Sequence, residues 1–292
     1  MRAPATAATP VAGPLLTAWR SLFALAAIAY LAAGIPLFFT PSWASDHFAW
    51  QVSPFVAMTA GAWCLGTAAW AGWAIFDHRG WAPIRPCVVY VLAFGTTELG
   101  VALYESDLLR TDVVLAWPYL AALGLSVVGG VLAVVDGGRH LGPDRRPGGV
   151  PVPRIVQQLD VVFVAFVWFL AAVAFWAPER ATNGAIFPES LSLFSLRAFG
   201  VFYLSLGMGL GILVRDRRAD AYLVSMWCGL ALVVPILVAT VVYADSFALS
   251  DHPGQLAYPI AYVVALIGAI LILAWGRRAR DDLVQSAHPI MG

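Results

Sequence analysis

The segment PCVVYVLAFGTTELGVALYE, residues 86–105, is an apolar run with one carboxylate, Glu98, placed well inside it. A run of about 20 apolar residues is long enough to cross the ~30 Å hydrocarbon core of a bilayer as a helix. An ionised side chain at that depth costs several kcal/mol unless it is paired, protonated or hydrated. The segment therefore predicts a membrane-spanning helix and, at Glu98, a residue whose placement needs a functional or structural reason.

The rest of the chain has the composition of a membrane protein. Of its 292 residues, 61% are hydrophobic and 12% are charged, and the charged fraction is about half that of an average soluble domain. The mean hydropathy is +0.80. The apolar runs are continuous rather than alternating, so they predict helices and not the strands of a barrel. The net charge of zero argues against nucleic acid as a partner.

Eight membrane-spanning helices are predicted, and the lipid bilayer is the partner that they imply. Residues 1–16 are predicted to be a disordered N-terminus, and residues 276–292 a tail. Residues 136–155 are rich in Gly, Pro and Arg, and are predicted to link a first transmembrane unit, 17–135, to a second, 156–275. The eight predicted helices are 17–39, 54–76, 87–104, 113–135, 156–176, 188–214, 222–243 and 255–275.

The two units resemble each other at a separation of 139 residues. Asp77 aligns with Asp216, and Tyr104 aligns with Tyr243, within short similar segments in the same order. Each unit has an even number of helices, so both units enter the membrane from the same side. The predicted fold is an all-α membrane protein of eight transmembrane helices as two parallel four-helix repeats, related by a pseudo-twofold axis along the membrane normal.

The placement of arginine predicts the orientation. All 17 basic residues are Arg, and 14 of them lie on one side of the membrane if both termini are cytoplasmic, which leaves only Arg110, Arg180 and Arg197 for the other side. Cytoplasmic loops carry such an excess of basic residues. We therefore expect a multi-pass protein of the cytoplasmic (inner) membrane, with both termini and the linker in the cytoplasm.

Glu98 is the first candidate for a ligand or proton site. It shares a helix face with Glu105, and two interpretations are open: a carboxyl that holds helices together by hydrogen bonds, or a proton, cation or ligand site. Arg197 is predicted to lie about two turns into its own helix, where it either pairs with Glu98 or extends to the headgroups. The candidate site comprises Glu98, Arg197, Thr97, Tyr104 and Glu105.

No metal or cofactor site is predicted. Cys64, Cys87 and Cys228 lie in apolar runs without a Cys-x-x-Cys spacing, so they are expected to be buried thiols. The Asp-His pairs at 46–47 and 251–252 are adjacent residues, which rarely bind one ion together. No glycine-rich loop joins a strand to a helix, so phosphate-binding motifs are absent.

The function predicted first is that of a transporter-like or ligand-binding membrane protein that handles a small or apolar solute between the two repeats, near Glu98. Its basis is the duplication, because such folds place their sites at the repeat interface, together with the single intramembrane acid.

A second interpretation is an enzyme that uses Glu98 as acid or base on a lipid or isoprenoid-like substrate. The lack of a nucleophile or paired-acid motif argues against it. A third is a structural or assembly subunit. The sequence does not indicate an oligomeric state or a family.

Overall fold

The chain is all-helical in the computed structural model, which describes residues 14–77, 80–139, 152–176, 187, 189–216 and 218–287. The predictions for most of the N-terminus, for residues 140–151 of the linker and for residues 288–292 lie outside these ranges. The α-helices are α1 (Pro14–Phe39), α2 (Pro41–Asp46), α3 (Pro54–Phe76), α4 (Trp81–Tyr104), α5 (Ala116–Arg139), α6 (Arg154–Trp176), α7 (Leu193–Arg215), α8 (Ala219–Val242) and α9 (Ala257–Ala287).

Every helix except the short α2 is long and apolar enough to cross a membrane, which makes eight such helices within the described ranges. Their outward faces expose large apolar side chains, including Ile28 on α1, Phe169 on α6 and Leu271 on α9. Exposed apolar surface of this extent is unfavourable in water and favourable in lipid. The chain therefore has the multi-pass membrane architecture that its composition predicts.

The helix that carries Glu98 begins earlier than predicted. α4 starts at Trp81, whereas the prediction started it at Cys87. Gly80 precedes it with a φ of +126°, a conformation that glycine adopts at little cost. Pro86 lies inside the helix near its start, where its missing N–H removes a single helical hydrogen bond. The earlier start brings Arg85 into α4.

The helix that carries Arg197 begins later than predicted. The prediction placed the start at residue 188, but α7 starts at Leu193. Ser192 is extended and its hydroxyl accepts a hydrogen bond from the backbone N–H of Ser195, which is the arrangement of a helix N-cap. Arg197 is therefore the fifth residue of α7, close to the end of the helix bundle.

We divide the long helices by chain order into a first group, α1 with α3 to α5, and a second group, α6 to α9. In the first group α1 packs on α3 and α5, and α4 packs on α3 and α5; in the second group α6 packs on α7, and α8 packs on α9. Across the groups, α4 packs on α7 and α3 packs on α8, while α4 also contacts α8. Thus α3 and α4 of the first group carry its contacts with the second.

The antiparallel interface of α4 and α7, which we call the seam, has an ion pair at each end. Arg85, near the start of α4, lies 3.3 Å from the carboxylate of Asp216, the residue that follows α7. Arg197, near the start of α7, forms an ion pair with Glu105, the residue that follows α4. We call the two ends of the bundle the Asp216 end and the Glu105 end.

Small and hydroxyl-bearing residues form the middle of the seam. The hydroxyls of Thr97 and Ser205 lie 3.0 Å apart, within hydrogen-bond distance. Gly209 lies so close to α4 that a β-carbon there would fall 2.7 Å from Cβ of Tyr90. Small residues that let helix backbones approach are typical of packing in lipid, so the seam is held by close packing as well as by charge.

A methyl group in the seam should lower stability. Gly209→Ala is expected to destabilise the fold by about 1–3 kcal/mol, because the new β-carbon also meets the Pro86 carbonyl oxygen at 3.2 Å. Gly211→Ala is the matched control, since nothing lies within 4 Å of the position that a β-carbon would take there and both changes raise helix propensity equally. Unfolding in a detergent titration measures both, and equal stability of the two variants would contradict the packing.

Candidate functional site

Glu98 points into the protein. Its side chain is only 1% exposed, although it lies on a helix that is long and apolar enough to cross a membrane. Within the described residues, its Oε1 atom has no hydrogen-bond partner. A buried carboxyl oxygen without a partner is unusual in a folded protein and needs an explanation.

The surroundings of Glu98 come from all four long helices of the first group. The titratable groups within electrostatic range of Glu98 include Tyr30 of α1, Cys64 of α3, Tyr90 of α4 and Tyr119 of α5. We call these five residues the Glu98 cluster. The carboxyl thus lies among the helices of one group, whereas the sequence predicts a site between the two groups.

The tyrosines of the Glu98 cluster differ in their hydrogen bonding. The Tyr30 hydroxyl lies 3.1 Å from the hydroxyl of Ser126, and the Tyr90 hydroxyl lies 3.1 Å from that of Thr67. The buried Tyr119 hydroxyl, like Glu98 Oε1, has no partner among the described residues. The cluster therefore contains an acid and a phenol whose hydrogen-bonding capacity the described protein groups leave unused.

Arg197 pairs with Glu105 and not with Glu98. Its guanidinium also lies over the ring of Tyr104, 4.8 Å from the ring centre. Glu105 is the residue that follows the end of α4 at Tyr104, with φ −99° and ψ 34°. The later start of α7 brings Arg197 to this end of the bundle.

The five predicted site residues therefore separate into three places. Arg197, Tyr104 and Glu105 form one cluster at the Glu105 end. Thr97 faces Ser205 across the seam, and Glu98 faces the interior of the first group. Glu98 and Glu105 differ in their position along α4: Glu98 is buried within the helix, whereas Glu105 follows its last residue and pairs with Arg197.

Four aromatic rings cover the Glu105 end above the Glu98 cluster. Phe48, Trp50 and Tyr119 contact one another with ring centres 4.3–5.5 Å apart, and Trp50 stacks on Phe194 of α7 at 4.5 Å. We call these four residues the aromatic lid. Tyr119 belongs to both the lid and the Glu98 cluster, so it connects the buried acid with this end of the bundle.

Backbone hydrogen bonds between two loops fix the position of the aromatic lid. The backbone N–H of Arg110 donates to the Ala49 carbonyl at 2.7 Å, and that of Leu115 donates to the His47 carbonyl at 3.1 Å. The Trp50 indole N–H donates to the Ser195 hydroxyl at 3.2 Å. These bonds attach the lid both to the loop before α5 and to α7.

A polar cleft lies beside the lid, where α3 and α7 begin. It has a volume of about 290 Å³. Glu189 is its carboxylate and accepts a hydrogen bond from the Ser53 hydroxyl. Burial raises the pKa of Glu189, and the Ser53 hydrogen bond opposes that rise. The cleft is lined by Gln51, Val52, Ser53, Val56, Glu189, Ser190, Leu191, Ser192 and Ser195.

Sequence reasoning missed most of these residues. It treated Glu189 as a helix-start residue and gave no role to Tyr30, Tyr90 or Tyr119. A tyrosine in the middle of an apolar run is a detectable signal, since its hydroxyl needs a partner when buried. The three cysteines are buried and free, as predicted, and Cys87 and Cys228 lie with their sulfur atoms 4.0 Å apart.

Metal-binding geometry is not found in the part of the chain that the structure describes, where no group of three or more His, Cys, Asp or Glu side chains could hold an ion. The His47 side chain instead interacts with the backbone and the ring of Trp43. Its Nδ1 lies 2.8 Å from the Trp43 carbonyl oxygen, and the two rings stack at 4.4 Å.

The fold and the buried acid define a multi-pass membrane protein, with eight helices in the described ranges that are long and apolar enough to span a bilayer, and an interior carboxyl. No protein-family model, curated protein or solved structure matches the chain. Its function must therefore be inferred from the geometry of its own residues.

The partner of Arg197 can be tested with double-mutant cycles. Arg197→Met and Glu105→Gln should show a coupling of about 1 kcal/mol or more, because either change alone leaves a partly buried charge unpaired. The parallel cycle of Arg197→Met with Glu98→Gln should be additive. Both cycles can be measured as unfolding free energies in detergent, and coupling to Glu98 with additivity at Glu105 would contradict the assignment.

Proposed function

We propose that this protein is a transporter-like membrane protein in which Glu98 takes up and releases a proton as part of its cycle. One observation carries the proposal: Glu98 is 1% exposed, and its Oε1 has no hydrogen-bond partner among the described residues. An acid kept at membrane depth marks a proton or ligand pathway more often than a packing site.

The chemistry of the Glu98 cluster suits a change of protonation. An ionised carboxylate without a cation or hydrogen-bond donor is costly in an apolar interior, so the resting acid is neutral in this proposal. Release of its proton needs an acceptor or an arriving ligand. The Tyr119 hydroxyl is a donor and acceptor in the same cluster, and its place in the aromatic lid supports exchange towards the Glu105 end.

The two helix groups support a duplicated architecture. Ser53 and Ser192 cap α3 and α7 in the same way, each accepting from the backbone N–H three residues on. Asp77 and Asp216 end the same two helices with similar extended conformations. Both pairs are 139 residues apart. The α4–α7 and α3–α8 interfaces would exchange under a pseudo-twofold axis, as in parallel-repeat transporters.

The proposed orientation places the Asp216 end in the cytoplasm. The arginine excess on that side, 14 of 17 residues, supports it, and both termini and the linker would then be cytoplasmic. In this orientation the aromatic lid, the polar cleft and the Arg197–Glu105 pair face the opposite compartment. The membrane proposed is the cytoplasmic (inner) membrane.

Cysteine labelling tests the orientation. A membrane-impermeant maleimide added to intact cells should label Asp107→Cys, which is exposed after α4, and should leave Gly138→Cys unlabelled until the cells are opened. Gly138 is exposed with free space around its Cα, so lack of labelling there would not reflect burial. The native cysteines are buried and give a low background. The reverse pattern would contradict the orientation.

The enzyme interpretation is less well supported. A lipid or isoprenoid-like substrate would have to reach Glu98, and its side chain is enclosed by the first helix group. A proton is small enough to reach a closed site through one or two hydroxyls. The enclosure therefore favours proton handling, and the solute that would accompany the proton is small.

Proton uptake by proteoliposomes tests the proposed function. An acid step applied outside vesicles that contain a pH-sensitive dye should acidify the interior faster with the protein than without it, while a potassium ionophore removes the opposing potential. Glu98→Gln should reduce the rate to that of protein-free vesicles. Tyr119→Phe should slow it, because the phenol that exchanges with Glu98 is lost.

Asp107→Asn is the matched control, since it removes an exposed carboxylate outside the helices that cross the membrane. It should leave proton uptake unchanged. Equal rates for the unmodified protein and Glu98→Gln, with both correctly folded by detergent melting, would show that Glu98 is structural.

A further inference from the structure

The polar cleft at the Glu105 end lies between the two helix groups. Gln51, Val52 and Ser53 precede α3 of the first group, and Glu189 to Ser195 lead into α7 of the second. Ligand sites occur preferentially at such interfaces between units of a fold. The site is separate from the Glu98 cluster, with which it shares no residue.

The lining is polar and carries one charge. Ser53, Ser190, Ser192, Ser195 and Gln51 line the cleft together with Glu189. Among the described residues Glu189 has a single partner, the Ser53 hydroxyl. An ionised carboxylate can accept about four hydrogen bonds, so most of its capacity remains for a ligand.

The backbone geometry argues against an anion. Helix N-termini attract anions through free N–H groups, but here the N–H groups of Val56 and Ser195 already donate to Ser53 and Ser192. An anion would also meet the Glu189 carboxylate. A dehydrated metal ion is equally unsuited, since Ca²⁺ takes about 6–8 oxygen ligands, commonly with several carboxylates.

We propose that this cleft binds the primary ammonium group of a small hydroxylated amine, with Glu189 as the counter-ion and the hydroxyls of Ser53, Ser190 and Ser192 as further acceptors. A primary ammonium has three donors, which matches a carboxylate in a cleft lined by hydroxyls. The volume of about 290 Å³ equals that of about ten water molecules at ~30 Å³ each. The cleft is therefore large enough for the ammonium end of a small amine.

Two kinds of molecule at a membrane surface could supply this ammonium group. It comes from a free amine in solution, or from the ethanolamine headgroup of a lipid next to the bundle end. Both present the same chemistry to Glu189. The proposal does not rest on proton handling by Glu98, because neither site uses the other's residues.

Ethanolamine is the probe for the free amine. The full-length protein in phosphatidylcholine nanodiscs should bind it saturably in calorimetry, and Glu189→Gln should weaken binding at least tenfold. Choline should bind at least tenfold more weakly than ethanolamine, because its methylated nitrogen donates no hydrogen bonds. Asp107→Asn, which removes an exposed carboxylate away from the cleft, should bind ethanolamine normally.

Ser190→Arg is a second variant that keeps Glu189. Ser190 is exposed at the mouth of the cleft, so the fold can accommodate an arginine there. Its guanidinium should form an ion pair with the Glu189 carboxylate and abolish the binding of ethanolamine. This variant keeps the test decisive if Glu189→Gln does not fold.

The lipid source is tested in nanodiscs that mix phosphatidylethanolamine with phosphatidylcholine. Enrichment of phosphatidylethanolamine around the unmodified protein, lost in Glu189→Gln and Ser190→Arg, would assign the site to the headgroup even if free ethanolamine does not bind. The proposal is overturned if neither form of the amine is bound, or if both variants retain binding as tight as that of the unmodified protein.

Discussion

Two antiparallel helices, α4 and α7, are joined by an ion pair at each end, and this seam determines where the other functional groups lie. Arg85 pairs with Asp216 at one end and Arg197 with Glu105 at the other. Each pair joins an arginine near one helix start to a carboxylate just beyond the other helix end. Partly buried charges are costly when unpaired, so a slip of one helix along the other would break both ion pairs at once.

The seam also determines the direction of Glu98. With Thr97 and Glu105 engaged by α7, Glu98 is buried in the first group, with Tyr30 and Tyr119 within electrostatic range. Arg197 is held by Glu105 and does not pair with Glu98. The seam thus keeps Arg197 away from the buried acid, and this separation leaves the acid available for a proton.

Much of the fold follows from local sequence, and most of the site does not. α3 begins at Pro54 and ends at Phe76, as predicted, because a serine cap, a first-turn proline and a long apolar run lie within one segment. The start of α7 was wrong because Pro188 and Glu189 resemble a helix start, while Ser192 provides the cap. The Glu98 cluster joins α1 and α5, and no local pattern shows which distant tyrosine will meet the acid.

The state of Glu98 is the central claim, and infrared difference spectroscopy measures it directly. The carbonyl stretch of a neutral carboxylic acid is separate from the bands of a carboxylate. The membrane-reconstituted protein near neutral pH should show a neutral-acid band in a dry environment that disappears in Glu98→Gln and persists in Asp107→Asn. A spectrum in which Glu98→Gln removes only carboxylate bands would mean that Glu98 is ionised and paired, and would contradict the account.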